Sequence, residues 1–160
     1  MKLDLGRTPV GQSDLAVSGQ VDLDFGPQGP GPVQVEGELR VDNLEGRCLV
    51  RGELTATGPA ACDRCLEVFP LRFTAPLEIL ILRDAGQESD DSDSLVLHQR
   101  EGIVDLHESV REATVLAVPL ARLCRTECRG LCSQCGADLN QGDCACEDDA
   151  VDPRWDGLPD

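Results

Sequence analysis

The sequence predicts an α+β protein: an antiparallel β-meander or small open barrel, one packed helix, and a C-terminal Cys-rich zinc module. Three observations predict it. Apolar residues alternate with polar ones through most of the first half, one later stretch repeats at helical spacing, and six of the nine cysteines crowd into residues 124–146. The 160 residues divide into a β-rich domain, 1–123, and a Cys-rich module with its tail, 124–160. With three Phe, one Trp and no Tyr, the core must be built from Leu, Val, Ala and Ile. Such a core is thin in so small a domain, and metal staples would reinforce it.

The elements follow in order. Leu15 to Phe25 reads as a strand, ended by the turn-rich run Gly26 to Pro32. Val33, Val35, Leu39 and Val41 share the next apolar stripe, with Gly37 inside it. After Asn43 to Gly46, Cys48, Val50, Leu54 and Ala56 share another. A third stripe holds Leu71, Phe73, Ala75, Leu77, Ile79 and Ile81, and Pro76 within it marks an edge strand or a bulge. Residues 83–94 concentrate negative charge without an apolar period and read as a solvated loop. The helix spans 105–118. Asp105 and Glu108 form a capping-box pattern, Leu106, Val110, Ala113 and Ala117 make the buried stripe, and Pro119 stops it.

The chain carries 14 basic against 30 acidic residues, a formal net charge of −16. Nucleic-acid binders normally present a basic stripe, and none is present here; Arg122, Arg125 and Arg129 are the nearest approach to one. Direct RNA binding is therefore disfavoured, and a basic protein partner suits the charge better, although solubility alone would also account for it. The N-terminal residues hold no apolar leader and no window approaches a membrane span, so a cytoplasmic protein is expected. In that reducing compartment, nine cysteines indicate metal rather than disulfides.

Cys132 and Cys135 form a zinc knuckle, with Gly136 supplying the positive φ that such a turn uses. Cys144 and Cys146 complete a first set of four thiolates. Cys62 and Cys65 form a second C-x-x-C, and Cys124 and Cys128, spaced for one face of a helical turn, complete a second set. The expected cofactor is Zn²⁺, one ion or two. Four-thiolate sites are closed and structural, with no position left for water. Cys48, on an apolar strand face, is core packing. Thiolate ligation also suits iron, and a free Cys62/Cys65 pair would suit thiol-redox or electron-transfer chemistry. A zinc-dependent nucleic-acid-binding regulator is a further alternative.

No catalytic constellation is visible. His98 and His107 lack a positioned partner, and the glycines of 26–31 lack the helix and Lys of a phosphate loop, so the chain is not expected to be an enzyme or to take a small-molecule substrate. Arg64, Arg154 and Trp155 are candidate partner contacts, Arg and Trp being frequent interface anchors; folding back of Trp155 as a hydrophobic clasp is the alternative.

Several motifs occur together. They are C-x-R-C-L at Cys62–Leu66, V-P-L-x-x-L-C at Val118–Cys124, C-R-G-L-C-x-x-C-G-x-x-L-N at Cys128–Asn140, C-x-C at Cys144–Cys146 and D-P-R-W at Asp152–Trp155. In this combination the chain, from about Val33 onward, resembles the YceD family. The resemblance implies a bacterial factor needed for accumulation of large-subunit ribosomal RNA, through its synthesis, processing or stability. It carries over no catalytic residue. Together with the acidic charge, it leads to a ribosomal protein or an rRNA-processing factor as the expected partner.

Overall fold

A computed structural model describes residues 1–24, 30–44, 46–83, 95–99 and 102–146. The acidic run 84–94 and the D-P-R-W motif with Arg154 and Trp155 lie outside the described residues. Among the described residues, seven strands and one helix appear in the order β1 (Lys2–Asp4), β2 (Gly11–Asp24), β3 (Pro30–Leu44), β4 (Arg47–Ala61), β5 (Val68–Leu82), β6 (Leu95–His98), β7 (Ile103–Asp105) and α1 (His107–Leu116). The class is α+β, as the alternation and the single helical repeat predict.

Five strands form an open sheet in the order β2-β3-β4-β5-β6, and β1 pairs with β7 in a separate two-stranded sheet. From β2 to β5 the chain is an antiparallel meander. β6 departs from that pattern: it runs parallel to β5, pairing Ile79–Leu82 with Leu95–His98. Pro76 sits in unbroken register opposite Glu53, so it makes no bulge. The pairing of β6 begins beyond it, at Ile79, and the outer side of β5 at Pro76 faces no strand among the described residues. A missing N–H there costs no ladder bond.

The period-two stripes meet on one face. Val17, Val21, Leu39, Val41, Val50, Leu54, Ile79 and Ile81 are all buried in a single core, and Cys48 is fully buried among them. Burial pushes the Cys48 thiol above its ordinary value, as for a sulfur that packs rather than reacts. α1 packs on β5 and reaches β2, laying Leu106, Val110 and Ala113 over the sheet. Buried Thr114 satisfies its hydroxyl on the Val110 carbonyl at 2.6 Å.

The helix start differs from the capping-box expectation. Asp105 ends β7, Leu106 is the N-cap without a side-chain cap bond, and the helix begins at His107. Asp105 Oδ1 accepts the His107 amide at 2.9 Å, while Glu108 pairs with Arg111 at 2.6 Å instead of reaching back. The Leu106 amide is bonded to the Met1 carbonyl at 2.8 Å, which ties the helix start to the N-terminus. Among the described residues, no helix is long and apolar enough to cross a membrane.

Candidate metal centres

Eight of the nine cysteines gather into two groups. Cys62, Cys65, Cys124 and Cys128 form an inner group; Cys132, Cys135, Cys144 and Cys146 form an outer one. Within each group the sulfurs all lie within 4.8 Å of one another. The partition is the one the spacing predicts, four and four. All nine cysteines are free thiols.

The donor geometry fits a tetrahedral ion. Metal–sulfur arms of about 2.3 Å give a tetrahedron with edges of about 3.8 Å. In the inner group Cys62 Sγ lies 3.8 Å from Cys128 Sγ, and Cys65 Sγ lies 3.7 Å from Cys124 Sγ. These separations are nearly twice a disulfide bond and match that edge. An ion held there would supply no chemistry beyond cross-linking, because four protein sulfurs leave no open position.

Two knuckles present the sulfurs, and their backbones match bond for bond. In the first, the Cys62 amide donates to Glu67 O at 2.9 Å and the Leu66 amide returns to Cys62 O at 2.9 Å. In the second, the Cys132 amide donates to Ala137 O at 2.8 Å and the Gly136 amide returns to Cys132 O at 2.9 Å. The residue after the second sulfur is left-handed in both, at φ 73° for Gly136 and 62° for Leu66. Glycine accepts that conformation at no steric cost, whereas Leu66 is strained and also exposed.

Backbone donors lower the pKa of Cys62 in the inner group and of Cys132 in the outer one. Burial disfavours the Cys62 thiolate, but the amides of Cys124, Cys65 and Arg64, with the Cys65 thiol, outweigh it and bring the group down to about 6. The amides of Cys135 and Gln134, helped by the thiols of Cys144 and Cys135, bring Cys132 to about 6. Burial and the facing sulfurs push Cys124 up to about 12, and Cys135, burial and Cys132 push Cys146 up to about 12. Four thiols packed together cannot all ionise alone; a cation is what such a group accommodates.

The inner group joins two remote parts of the chain, and polar contacts lock the join. Asp63, at the tip of the first knuckle, accepts the Arg122 amide at 2.7 Å and its guanidinium at 2.8 Å. The Asp63 amide donates to Arg122 O at 2.8 Å. Arg64 directs Nη1 to Cys128 O at 2.8 Å, an internal contact for a side chain that sequence reasoning offered to a partner. The Leu131 amide donates to Arg64 O at 3.1 Å. Gly130, at φ 78°, lets the segments approach: a Cβ there would stand 2.9 Å from Arg64 O. Replacing Gly130 with Ala adds left-handed strain to a backbone clash and is expected to cost about 2 kcal/mol, read as a lower urea midpoint with unchanged slope.

Asn140 sits between the groups. Its Nδ2 lies 3.5 Å from Cys128 Sγ and 2.8 Å from Asp138 Oδ1, and its Oδ1 accepts the Arg129 amide at 2.9 Å. Cys62 and Cys128 are buried, whereas Cys135 is exposed. Sequence spacing located the sulfurs but not Asp63, Arg122, Gly130 or Asn140, whose roles arise from contacts between separate segments.

The fold and the clusters define a small α+β protein in which one tetracysteine group brings the C-terminal segment to a β-meander and a second lies within that segment. Residues 50–160 match the family described as large ribosomal RNA subunit accumulation protein YceD, and the chain belongs to that family. An uncharacterized protein of Mycobacterium leprae is 32% identical over 127 residues, covering 77% of this chain and 57% of the relative. An uncharacterized protein of Mycobacterium tuberculosis is 29% identical over 119 residues, covering 74% and 57%. The maize protein named large ribosomal RNA subunit accumulation protein YCED homolog 1, chloroplastic, is 24% identical over 164 residues, covering 84% and 55%. The chain thus spans a little over half the length of these curated relatives. No solved structure matches it.

Proposed function

We propose that this chain is a non-catalytic ribosome-biogenesis factor of the cytoplasm that supports accumulation of large-subunit rRNA by binding a basic protein, either a ribosomal protein or an rRNA-processing factor. In this reading both tetracysteine groups hold Zn²⁺ and build the scaffold. The family match over residues 50–160 carries the ribosomal half of the reading. The grouping of eight cysteines into two sets of four, each with its sulfurs within 4.8 Å of one another, supports the metal half. Zinc suits a closed four-sulfur site that has no redox task, and reduced thiols suit the cytoplasm. A thiol-redox role would need Cys62 and Cys65 as a free pair, whereas both face Cys124 and Cys128.

Charge supports the choice of partner. The outer face of the sheet sets Glu38 directly opposite Glu53, with Glu36 two residues along the same strand, and all three are exposed. Like charges facing across a ladder cost a few tenths of a kcal/mol, up to about 1, a cost that a basic partner removes on binding. The next pair on that face sets Arg40 opposite Arg51, so the acidic patch is bounded by basic residues.

The experiment is depletion of the protein followed by the ratio of large- to small-subunit rRNA. A fall in that ratio is expected, and an unchanged ratio overturns the reading. Glu53→Lys separates surface from scaffold. It is expected to raise stability by about 0.5 kcal/mol, by replacing a repulsive pair with an attractive one, while failing to restore the rRNA ratio in depleted cells. Full restoration by this variant would show that the acidic face is solvation only.

A further inference from the structure

The two cysteine groups touch through Asn140. This residue lies in the loop between Cys135 and Cys144, so its position is set by the ligands of the outer group. Its side-chain amide donates to Cys128 Sγ, a sulfur of the inner group. The rest of its polar capacity is engaged: Oδ1 takes the Arg129 amide, Nδ2 also reaches Asp138 Oδ1, and the Asn140 amide bonds that same oxygen at 3.0 Å. The Leu139 amide donates to Gly130 O at 2.9 Å, and a bridge pairs Leu131 with Asp138. The outer loop is therefore laced onto the strand of chain that carries Cys128, and Asn140 is its contact with a sulfur.

We infer that the outer metal site governs the affinity of the inner one, with Asn140 as the positioning residue. The inference rests on the reading that both groups hold an ion. Thiolates bound to a cation still carry excess negative charge, and an N–H directed at the sulfur stabilises the metal-bound form. The outer module has little apolar surface of its own: Leu131 and Leu139 are only half-buried. Without the outer ion the loop is held by its polar contacts with residues 129–131 alone, and the Asn140 donor is free to leave Cys128. Coupling of this kind is reciprocal, so the inner ion also tightens the outer site. Filling or emptying the exposed site would thereby control how firmly the module is clasped to the β domain.

The test is the inner-site dissociation constant for Zn²⁺, measured on the full chain by anaerobic competition with a chromophoric chelator, with native mass spectrometry counting ions. Three variants complete a cycle: Cys135→Ser with Cys144→Ser, which removes the outer site; Asn140→Asp; and all three changes together. Asn140→Asp keeps the oxygen that accepts the Arg129 amide and replaces the amide nitrogen that donates to Cys128 Sγ and to Asp138. Loss of the outer site is expected to weaken the inner site about 10-fold, Asn140→Asp to do the same or more, and the combination to add little to either. Far-ultraviolet dichroism of the β domain should be unchanged throughout. An inner constant indifferent to the outer site, in a chain that binds two ions, overturns the coupling while leaving the metal reading intact. Effects that multiply in the combined variant remove Asn140 from the path. A wild-type chain that binds no ion overturns the metal reading, and the coupling with it.

Discussion

Serine at Cys62 is expected to remove one ion, lower the unfolding free energy by about 4 kcal/mol and release residues 120–146 to proteolysis. The magnitude comes from the chain that the inner site closes. Cys65 and Cys124 are 59 residues apart in sequence, and Cys62 and Cys128 are 66 apart. Cross-linking a loop of this length removes about 4 kcal/mol of unfolded-state entropy in the loop-closure model. The Asp63–Arg122 contacts alone cannot hold the join, since a partly exposed ion pair is worth at most about 1 kcal/mol. Native mass spectrometry reads the ion, urea unfolding reads the stability, and trypsin reads the release at Arg122 and Arg125. Cys48→Ala serves as the control: its sulfur is buried in the sheet core and belongs to neither group, so both ions should remain. Retention of two ions in the Cys62 variant would place the inner metal elsewhere.

Two intervening residues fix where Cys62 and Cys65, and Cys132 and Cys135, can point, and the remaining four cysteines completed the two sets by count. The meander was equally readable. Its strands are long, one face is dry, and a shift of register by one residue would turn that whole face to water. The shorter elements gave less warning. β1 and β7 have three residues each, too few for a period, and they exist because the N-terminus is bonded to the start of α1. β6 lies beyond the acidic run, and its four residues fit a parallel or an antiparallel partner alike. Asp105 and Glu108 satisfied a motif that did not form, because the helix begins one residue later, with Leu106 as its N-cap, and Glu108 pairs with Arg111. Leu66 shows the same limit differently. Its left-handed turn is imposed by the knuckle, while the residue type itself argues for another conformation.

The second large effect is expected at Gly37, which the pattern marked only as a gap in an apolar stripe. Gly37 stands opposite Leu54 on β4, and a Cβ at Gly37 would lie 2.7 Å from the Glu53 carbonyl oxygen and 2.9 Å from Leu54 Cδ2. The glycine is therefore the space into which Leu54 packs, and Leu54 is fully buried. Gly37→Ala should destabilise by about 3 kcal/mol, at the upper end for overpacking, because a backbone oxygen is among the atoms displaced. Leu54→Ala should cost about 3 kcal/mol through the cavity it leaves. The double variant separates the two contributions. Removing Leu54 clears the side-chain contact but leaves Glu53 O in place, so the pair should recover only part of the Gly37→Ala loss and remain less stable than either single change. Full rescue by Leu54→Ala would mean that β3 and β4 can move apart at this point, and the close approach would then be a consequence of side-chain packing rather than of the ladder itself.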